Sequence, residues 1–136
     1  MKLIIFEGIS GSGKTTLFHP VHKLSNYQDL QIHRFTPTNW VYDRLEGRRE
    51  VDYEESNKKL QELFEVYVIW CDCSSITANK RQIEKKDSMI EDLARARMLF
   101  KEYFEKVTSF KQVIYLLTDS LIIEECIDIV KEKIYE

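Results

Sequence analysis

The sequence predicts an α/β fold in which helices cover both faces of a small, mostly parallel β-sheet. Four short apolar runs alternate with stretches of helical periodicity, an order typical of parallel strands joined by crossover helices. The first run leads directly into a glycine-rich loop, residues 8–15, and a helical pattern follows it. A strand, a glycine-rich loop and a helix in this order indicate the three-layer α/β/α fold of the P-loop NTPases.

The predicted strands are short and apolar. A continuous apolar run indicates a strand that is buried on both faces of the sheet, whereas the second run alternates apolar and polar residues. The predicted strands span residues 3–6, 30–35, 66–70 and 113–117.

Capping residues and helical periodicity place helices between these strands. The first helix opens near Lys14, and Pro20 should kink or end it near His19, because proline lacks the N–H that a helix interior needs. Thr38 or Asn39 is expected to cap a short second helix.

Further caps predict the remaining helices. Asp52 with Glu55 has the form of a capping box, and Ser74 or Ser75 can cap the helix after the third strand. A second capping box, at residues 88–91, starts the longest predicted helix. The C-terminal helix is expected to bury one apolar stripe, formed by Ile123, Cys126, Ile127, Val130 and Ile134.

Length and composition indicate a soluble globular protein with one domain, residues 1–136. The chain is 43% hydrophobic and 32% charged, and no apolar run is long enough to span a bilayer. The net charge of −3 argues against a dedicated nucleic-acid-binding protein, which usually carries a basic face. The odd count of three cysteines, Cys71, Cys73 and Cys126, favours buried, reduced thiols in a cytoplasmic protein over a disulfide framework or a metal site.

The glycine-rich loop carries the strongest functional signal. It matches G-x-x-x-x-G-K-[ST] at every fixed position. Its glycines allow backbone angles and close approaches that a Cβ would prevent, so that the loop N–H groups can surround the phosphates of ATP or GTP. Lys14 is expected to reach the β- and γ-phosphates, and the Thr15 hydroxyl to bind Mg²⁺. The residues predicted to hold the nucleotide are Gly8, Ser10, Gly11, Ser12, Gly13, Lys14, Thr15 and Thr16.

Beyond the loop, the sequence resembles the thymidylate kinase family and its deoxynucleoside and nucleoside monophosphate kinase relatives. Residues 6–16 are similar to the family motif F-E-G-x-D-G-x-G-K-[ST]-T, and residues 33–42 to D-R-[YF]-x-x-S-x-x-x-Y. Residues 68–75, followed by Arg81, are similar to the strand and helix that run into the family's basic lid. The C-terminal strand and helix complete the likeness, but a strand and a helix before the second motif are missing.

The resemblance implies Mg²⁺-dependent transfer of a phosphoryl group from ATP to a nucleoside or nucleoside monophosphate. Arg34 matches the arginine that contacts phosphate on the acceptor, while Phe35 and Tyr42 match positions near the acceptor. Glu7 matches the acidic residue before the loop, and Arg81 stands where the cationic lid begins. Together with Lys14, the two arginines are the predicted catalytic residues.

One position departs from the family motif. His33 replaces an aspartate, and a neutral imidazole does not supply the charge of a carboxylate. Another carboxylate can substitute, with Glu7, Asp43 and Asp72 as candidates, or catalysis is impaired and the chain is a nucleotide-binding module related to these kinases. A nucleotide-switch GTPase is less favoured, because residues 79–82 lack the aspartate of N-K-x-D.

Ordinary structural roles stay open for some of these residues. Tyr42 can pack in the core, Arg34 can be a solvated surface charge, and the cations near Arg81 can form the polar face of a helix. A second copy of the chain is a candidate partner, because the missing strand would leave an exposed sheet edge.

Overall fold

The computed structural model describes residues 1–84 and 92–136. Its sheet has four strands in the order β2-β1-β3-β4, and all three neighbouring pairs are parallel. The α/β prediction with a small parallel sheet is therefore confirmed. The strands are β1 Lys2–Glu7, β2 Leu30–His33, β3 Glu65–Asp72 and β4 Val113–Leu117.

Six helices connect and follow the strands in the described part of the chain. The fifth and sixth each continue as a π-helical turn, at Tyr103–Val107 and Lys131–Tyr135. The helices are α1 Lys14–Leu24, α2 Thr36–Leu45, α3 Glu54–Leu63, α4 Ser75–Glu84, α5 Leu93–Glu102 and α6 Ile123–Val130.

Helices pack on both faces of the sheet, which gives three layers. Successive side chains of a strand point to opposite faces, so β1 and β3 contribute to hydrophobic clusters on both faces of the sheet. On one face, Ile4, Phe6, Ile69 and Cys71 pack with residues of α1 and α6. On the other face, Trp70 packs with residues of α2 and α5. The register sets Phe6 opposite His33 of β2 and Ile69 of β3, so the carboxyl ends of these strands meet at one edge.

The predicted break at Pro20 is wrong. α1 continues through this residue to Leu24. Leu17 and Val21 are buried in the core on either side of Pro20, while the carbonyl that the missing N–H would bond belongs to the exposed residue Thr16. Core packing therefore holds the helix together where one backbone hydrogen bond is absent.

Two of the predicted helix starts are displaced. α2 begins at Thr36, ahead of the predicted cap at Thr38 or Asn39, because Pro37 fits the first turn of a helix. The predicted capping box at Asp52 is also wrong. α3 begins two residues later, and the Asp52 carboxylate accepts a hydrogen bond from the backbone of Glu54 at 2.9 Å.

The other caps have different outcomes. Ser74 caps α4 as predicted, since its hydroxyl accepts the backbone N–H of Thr77 at 3.1 Å. The predicted capping box at residues 88–91 lies outside the described residues, and Asp92 caps α5. In the C-terminal stripe, Ile123 is 45% exposed, contrary to the prediction.

The edges and surface of the fold complete the description. β2 pairs only with β1 in the described residues, and its Leu30 is 46% exposed. Covering of this edge by a second copy stays a prediction. The three cysteines are free and buried. Within residues 1–84 and 92–136, no helix combines the length and the apolar character needed to cross a membrane.

Candidate functional site

The glycine-rich loop joins β1 to α1 at the carboxyl edge of the sheet. Gly8, Gly11 and Gly13 have φ angles of 137°, 82° and 96°, in the region that favours glycine. A Cβ on Gly8 would lie 2.0 Å from the carbonyl oxygen of Cys71, and one on Gly11 would lie 2.7 Å from that of Ala78. The loop therefore depends on glycine for both its angles and its contact with β3 and α4.

The carbonyl groups of the loop are turned toward hydrogen-bond donors. Lys14 Nζ donates to the carbonyl oxygens of Gly8 and Ile9, both at 2.7 Å, and lies 3.3 Å from Ser12 Oγ. The carbonyl of Ser12 accepts from Thr118 Oγ1 at 2.8 Å. Because the C=O and N–H groups of a trans peptide point in opposite directions, the amides that follow these carbonyls are directed away from Lys14 and Thr118.

The N-terminus of α1 suits an anion. Gly13 is the N-cap, and no side chain of the described residues caps this end of the helix. Its first N–H groups and the positive end of the helix dipole are therefore available to a negative ligand. Thr15 and Thr16 are exposed in this first turn. The metal-binding role of the Thr15 hydroxyl stays a prediction.

Arg34 follows β2 and contacts the glycine-rich loop. Its φ is 58°, in the left-handed region, and this angle ends β2. Its backbone N–H donates to the carbonyl of Phe6 at 2.9 Å, and its guanidinium donates to Ser10 Oγ at 3.0 Å and to Tyr42 Oη at 3.3 Å. The structure thus brings Arg34 and Tyr42 together at the loop.

Glu7 is fully buried at the end of β1, beneath the start of α2. Its carboxylate accepts hydrogen bonds from the backbone N–H of Phe35 and from the hydroxyl of Thr38. Burial raises the pKa of Glu7 from 4.5 to about 7, against the opposing effect of these bonds and of the charges of Lys14 and Arg34. The Phe35 ring packs in the core beside β1, so its backbone, rather than its ring, faces Glu7.

Arg81 connects the loop to the end of β4. Its guanidinium donates to the carbonyl of Gly11 and to the hydroxyl and carbonyl of Thr118, each at 3.0 Å. Thr118, which the sequence did not single out, also donates its backbone N–H to the carbonyl of Asp72 at 2.8 Å. One signal could have identified Thr118 from the sequence. It stands directly after the last predicted strand, at the edge where ligands bind in open α/β sheets.

A pocket of about 280 Å³ lies beside Arg81. It is mostly apolar. Its lining residues are Gly11, Gly13, Thr16, Leu17, Arg81, Thr118, Leu121, Ile123 and Cys126. The exposed position of Ile123 follows from its place in this lining.

The candidate carboxylates differ in their availability. Asp43 accepts a hydrogen bond from the hydroxyl of Tyr53 at 2.7 Å. Asp72 receives a bidentate contact from Arg97 at 2.9 and 3.0 Å, together with the hydroxyl of Tyr115. Of the three predicted substitutes, Glu7 is the one that contacts the segment carrying Arg34. In the described ranges, no group of three or more His, Cys, Asp or Glu residues is placed to hold a metal ion.

His33 packs against an aromatic ring. Its imidazole meets the Phe18 ring edge to face, with centroids 4.2 Å apart. Partial burial, together with the charges of Lys14 and Arg34, lowers the pKa of His33. This shift favours the neutral form of the imidazole.

The fold is shared with two solved structures. No protein-family model matches the sequence, and no curated protein matches it. YorR protein from Bacillus subtilis, solved in complex with phosphorylated GDP, is 18% identical with a TM-score of 0.73, and the match covers 93% of this chain and 91% of YorR. An unliganded sugar kinase from Janibacter sp. is 14% identical with a TM-score of 0.50, covering 97% and 92% of the two chains. This chain therefore has a fold that is found in kinases.

Glu7 should make stability fall as the pH rises. The carboxyl is protonated up to about pH 7 in the folded chain but only to about pH 4.5 when unfolded. The contribution of Glu7 to the free energy of unfolding is therefore fully present below pH 4.5 and is lost as the pH rises through 7. We expect the free energy of unfolding to fall by up to about 3 kcal/mol from this group. Denaturant titrations between pH 5 and 8 measure it. Glu7→Gln is the control and should lack this component, and parallel curves for the two proteins would contradict the assignment.

Proposed function

We propose that the chain is a P-loop kinase, similar to thymidylate kinase, that transfers a phosphoryl group from ATP to a nucleoside or nucleoside monophosphate with Mg²⁺. One observation supports this most strongly. Three cationic side chains, those of Lys14, Arg34 and Arg81, form hydrogen bonds to one glycine-rich loop. Such convergence suits the transfer of a group whose negative charge spreads over several oxygens.

The donor side is formed by the loop and α1. The loop amides and the first turn of α1 bind the β- and γ-phosphates, and the Lys14 ammonium stabilises their charge. When bound, ATP supplies the phosphoryl group and Mg²⁺ neutralises part of its charge. Thr15 contributes the hydroxyl ligand for the metal ion. The pocket beside Arg81 adjoins Gly11 and Gly13, which makes it the position for the base of the donor.

The acceptor side is formed by the segment from Arg34 to Tyr42. The guanidinium already bonds Ser10 in the loop, so a phosphate held by Arg34 lies next to the transferring group. Proximity and alignment supply much of the rate enhancement in phosphoryl transfer. Glu7 holds the backbone of Phe35 and thereby fixes this segment against β1.

The structural neighbours are consistent with this proposal. YorR is described in complex with phosphorylated GDP, and the other neighbour is a sugar kinase. We assign the phosphates of such a nucleotide to the loop of this chain and its base to the pocket beside Arg81. The choice between a nucleoside and its monophosphate rests on Arg34, whose planar guanidinium suits a phosphate.

A second candidate function is a catalytically impaired nucleotide-binding module. A specific observation favours it. His33, which stands where the family has aspartate, packs on Phe18, while Asp43 and Asp72 are engaged by Tyr53 and Arg97. Of the three candidate carboxylates, Glu7 is then the one left to take over the role of the family aspartate.

Lys14→Ala should weaken nucleotide binding about 10- to 100-fold, because it removes a charged hydrogen-bond donor worth about 1.5–3 kcal/mol. Calorimetric titration with ATP or GTP and Mg²⁺ measures the affinity, and a panel of nucleosides and nucleotides measures transfer. Lys23→Ala, at the exposed far end of α1, is the control. Unchanged affinity in Lys14→Ala would remove the nucleotide-binding proposal. Binding of the nucleotide without transfer to any acceptor would contradict the kinase proposal.

Arg34→Ala should raise KM for a nucleoside monophosphate about 10- to 100-fold, since a charge-assisted contact to phosphate is lost. The affinity for ATP should change less than about threefold, because donor contacts stay in place. Steady-state kinetics with the acceptor varied measures this separation, and the exposed Arg49→Ala serves as the matched control. An equal loss of donor and acceptor affinity would show that Arg34 does not belong to the acceptor side.

His33→Asp separates the two candidate functions. If the module is impaired, restoring the carboxylate should increase phosphoryl transfer, since a negative charge is returned beside the transfer site. If the histidine works in a kinase, the same change should lower transfer. His33→Asn, which removes the ring without adding a charge, is the control, and turnover with ATP and Mg²⁺ is the measurement. A gain in His33→Asn as large as in His33→Asp would rule out the charge as the cause.

A further inference from the structure

A buried polar network lies behind the start of α2. Asn57 of α3 is fully buried, and its Oδ1 accepts the hydroxyl of Thr36 at 2.7 Å. Its Nδ2 donates to the hydroxyl of Tyr103 and to the carboxylate of Glu54, both at 3.3 Å. Glu54 also accepts the Tyr103 hydroxyl at 3.0 Å and the backbone N–H of Ser109 at 2.7 Å. The side-chain groups of the network therefore satisfy one another.

Burial keeps one member of the network, the Tyr103 hydroxyl, protonated. Burial raises the pKa of Tyr103, and the neighbouring Glu54 raises it further, so its hydroxyl stays a donor. Each polar group in such an interior is costly if its partner is lost. The network consequently holds Thr36 in one position relative to α3.

Thr36 lies between Phe35 and Thr38, the two residues that donate hydrogen bonds to Glu7. It is the first residue of α2, directly after the turn formed by Arg34 and Phe35, and Thr38, which bonds Glu7, follows in the same helix turn. The left-handed φ of Arg34 costs a residue with a Cβ about 1 kcal/mol or more. A conformation of this kind persists only when its surroundings impose it.

Two sets of bonds impose the turn. On the sheet side, Phe6 and Glu7 accept the backbone N–H groups of Arg34 and Phe35. On the helix side, Asn57 accepts the hydroxyl of Thr36. The second set joins α2 to α3 and is independent of the bonds to β1.

We infer that Thr36, Asn57 and Tyr103 are positioning residues, which hold the turn at Arg34 so that its guanidinium faces the acceptor phosphate. The inference rests on the proposed function for the identity of the acceptor, but the holding of the turn can be measured without turnover. All three side chains are buried, so we place them behind the acceptor side rather than in contact with a ligand. They act on acceptor binding through the backbone of Arg34 and Phe35.

Thr36→Val tests the inference, because it keeps the shape of the side chain and removes the hydroxyl. Amide hydrogen exchange at Phe35 and Asn39 should accelerate about tenfold or more, as expected when local opening becomes easier. KM for the monophosphate acceptor should rise about 5- to 30-fold, while the affinity for ATP changes less than about twofold. Thr36→Ser, which keeps a hydroxyl at this position, should leave the exchange rates, KM and the affinity for ATP close to those of the unchanged chain.

Two further variants make the result decisive. Ser25→Ala removes a half-buried hydroxyl that bonds His22 and Asp29 at the far end of α1, so it controls for a general loss of stability. Tyr103→Phe removes only a hydroxyl and should shift exchange in the same direction as Thr36→Val. It replaces Thr36→Val if that variant does not fold.

The outcomes separate this inference from the proposed function. Unchanged exchange at Phe35 in Thr36→Val and Tyr103→Phe overturns the inference, and so does acceleration of equal size in Ser25→Ala. Absence of transfer by the unchanged chain to every acceptor overturns the proposed function alone. In that case the exchange data still decide whether the network holds the turn.

Discussion

The packing of the glycine-rich loop against β3 and α4 constrains the whole carboxyl edge of the sheet. There is no room for a side chain at Gly8, whose Cβ would lie 2.0 Å from the carbonyl of Cys71. With the backbone held there, its carbonyls meet Lys14 of α1, Arg81 of α4 and Thr118, which follows β4. The loop therefore organises its surroundings before any ligand is present. Preorganised polar groups of this kind avoid the cost of reorganisation when charge arrives.

Much of the fold could be predicted because its signals are local. The strands at residues 3–6 and 113–117 are read from apolar runs, and the glycine-rich loop from a fixed spacing that has a physical reason at each position. The errors came where tertiary packing outweighs a local rule. Pro20 lies within α1 because Leu17 and Val21 are buried on either side of it, and the sequence alone does not reveal that core.

In the candidate site, too, the residues of a local motif could be predicted and the long-range contacts could not. Lys14 and Thr15 belong to a contiguous motif, whereas the contacts of Arg34 with Ser10 and of Arg81 with Thr118 join residues far apart in the chain. Arg34 and Arg81 were predicted through a family resemblance, whereas their contacts with Ser10 and Thr118 were not predicted. Asn57 had no sequence signal, since a buried asparagine inside a helix looks like any polar surface residue until its neighbours are known.

At position 34 the backbone and the side chain favour different residues. The left-handed φ favours glycine or asparagine, whereas the proposed phosphate contact needs the guanidinium of arginine. Glycine or asparagine would adopt φ near 58° at lower cost than arginine. Any effort to make this chain more heat-resistant by relieving strained angles would favour those replacements, and it would discard the guanidinium in doing so. Position 34 is thus a place where robustness and activity trade against each other.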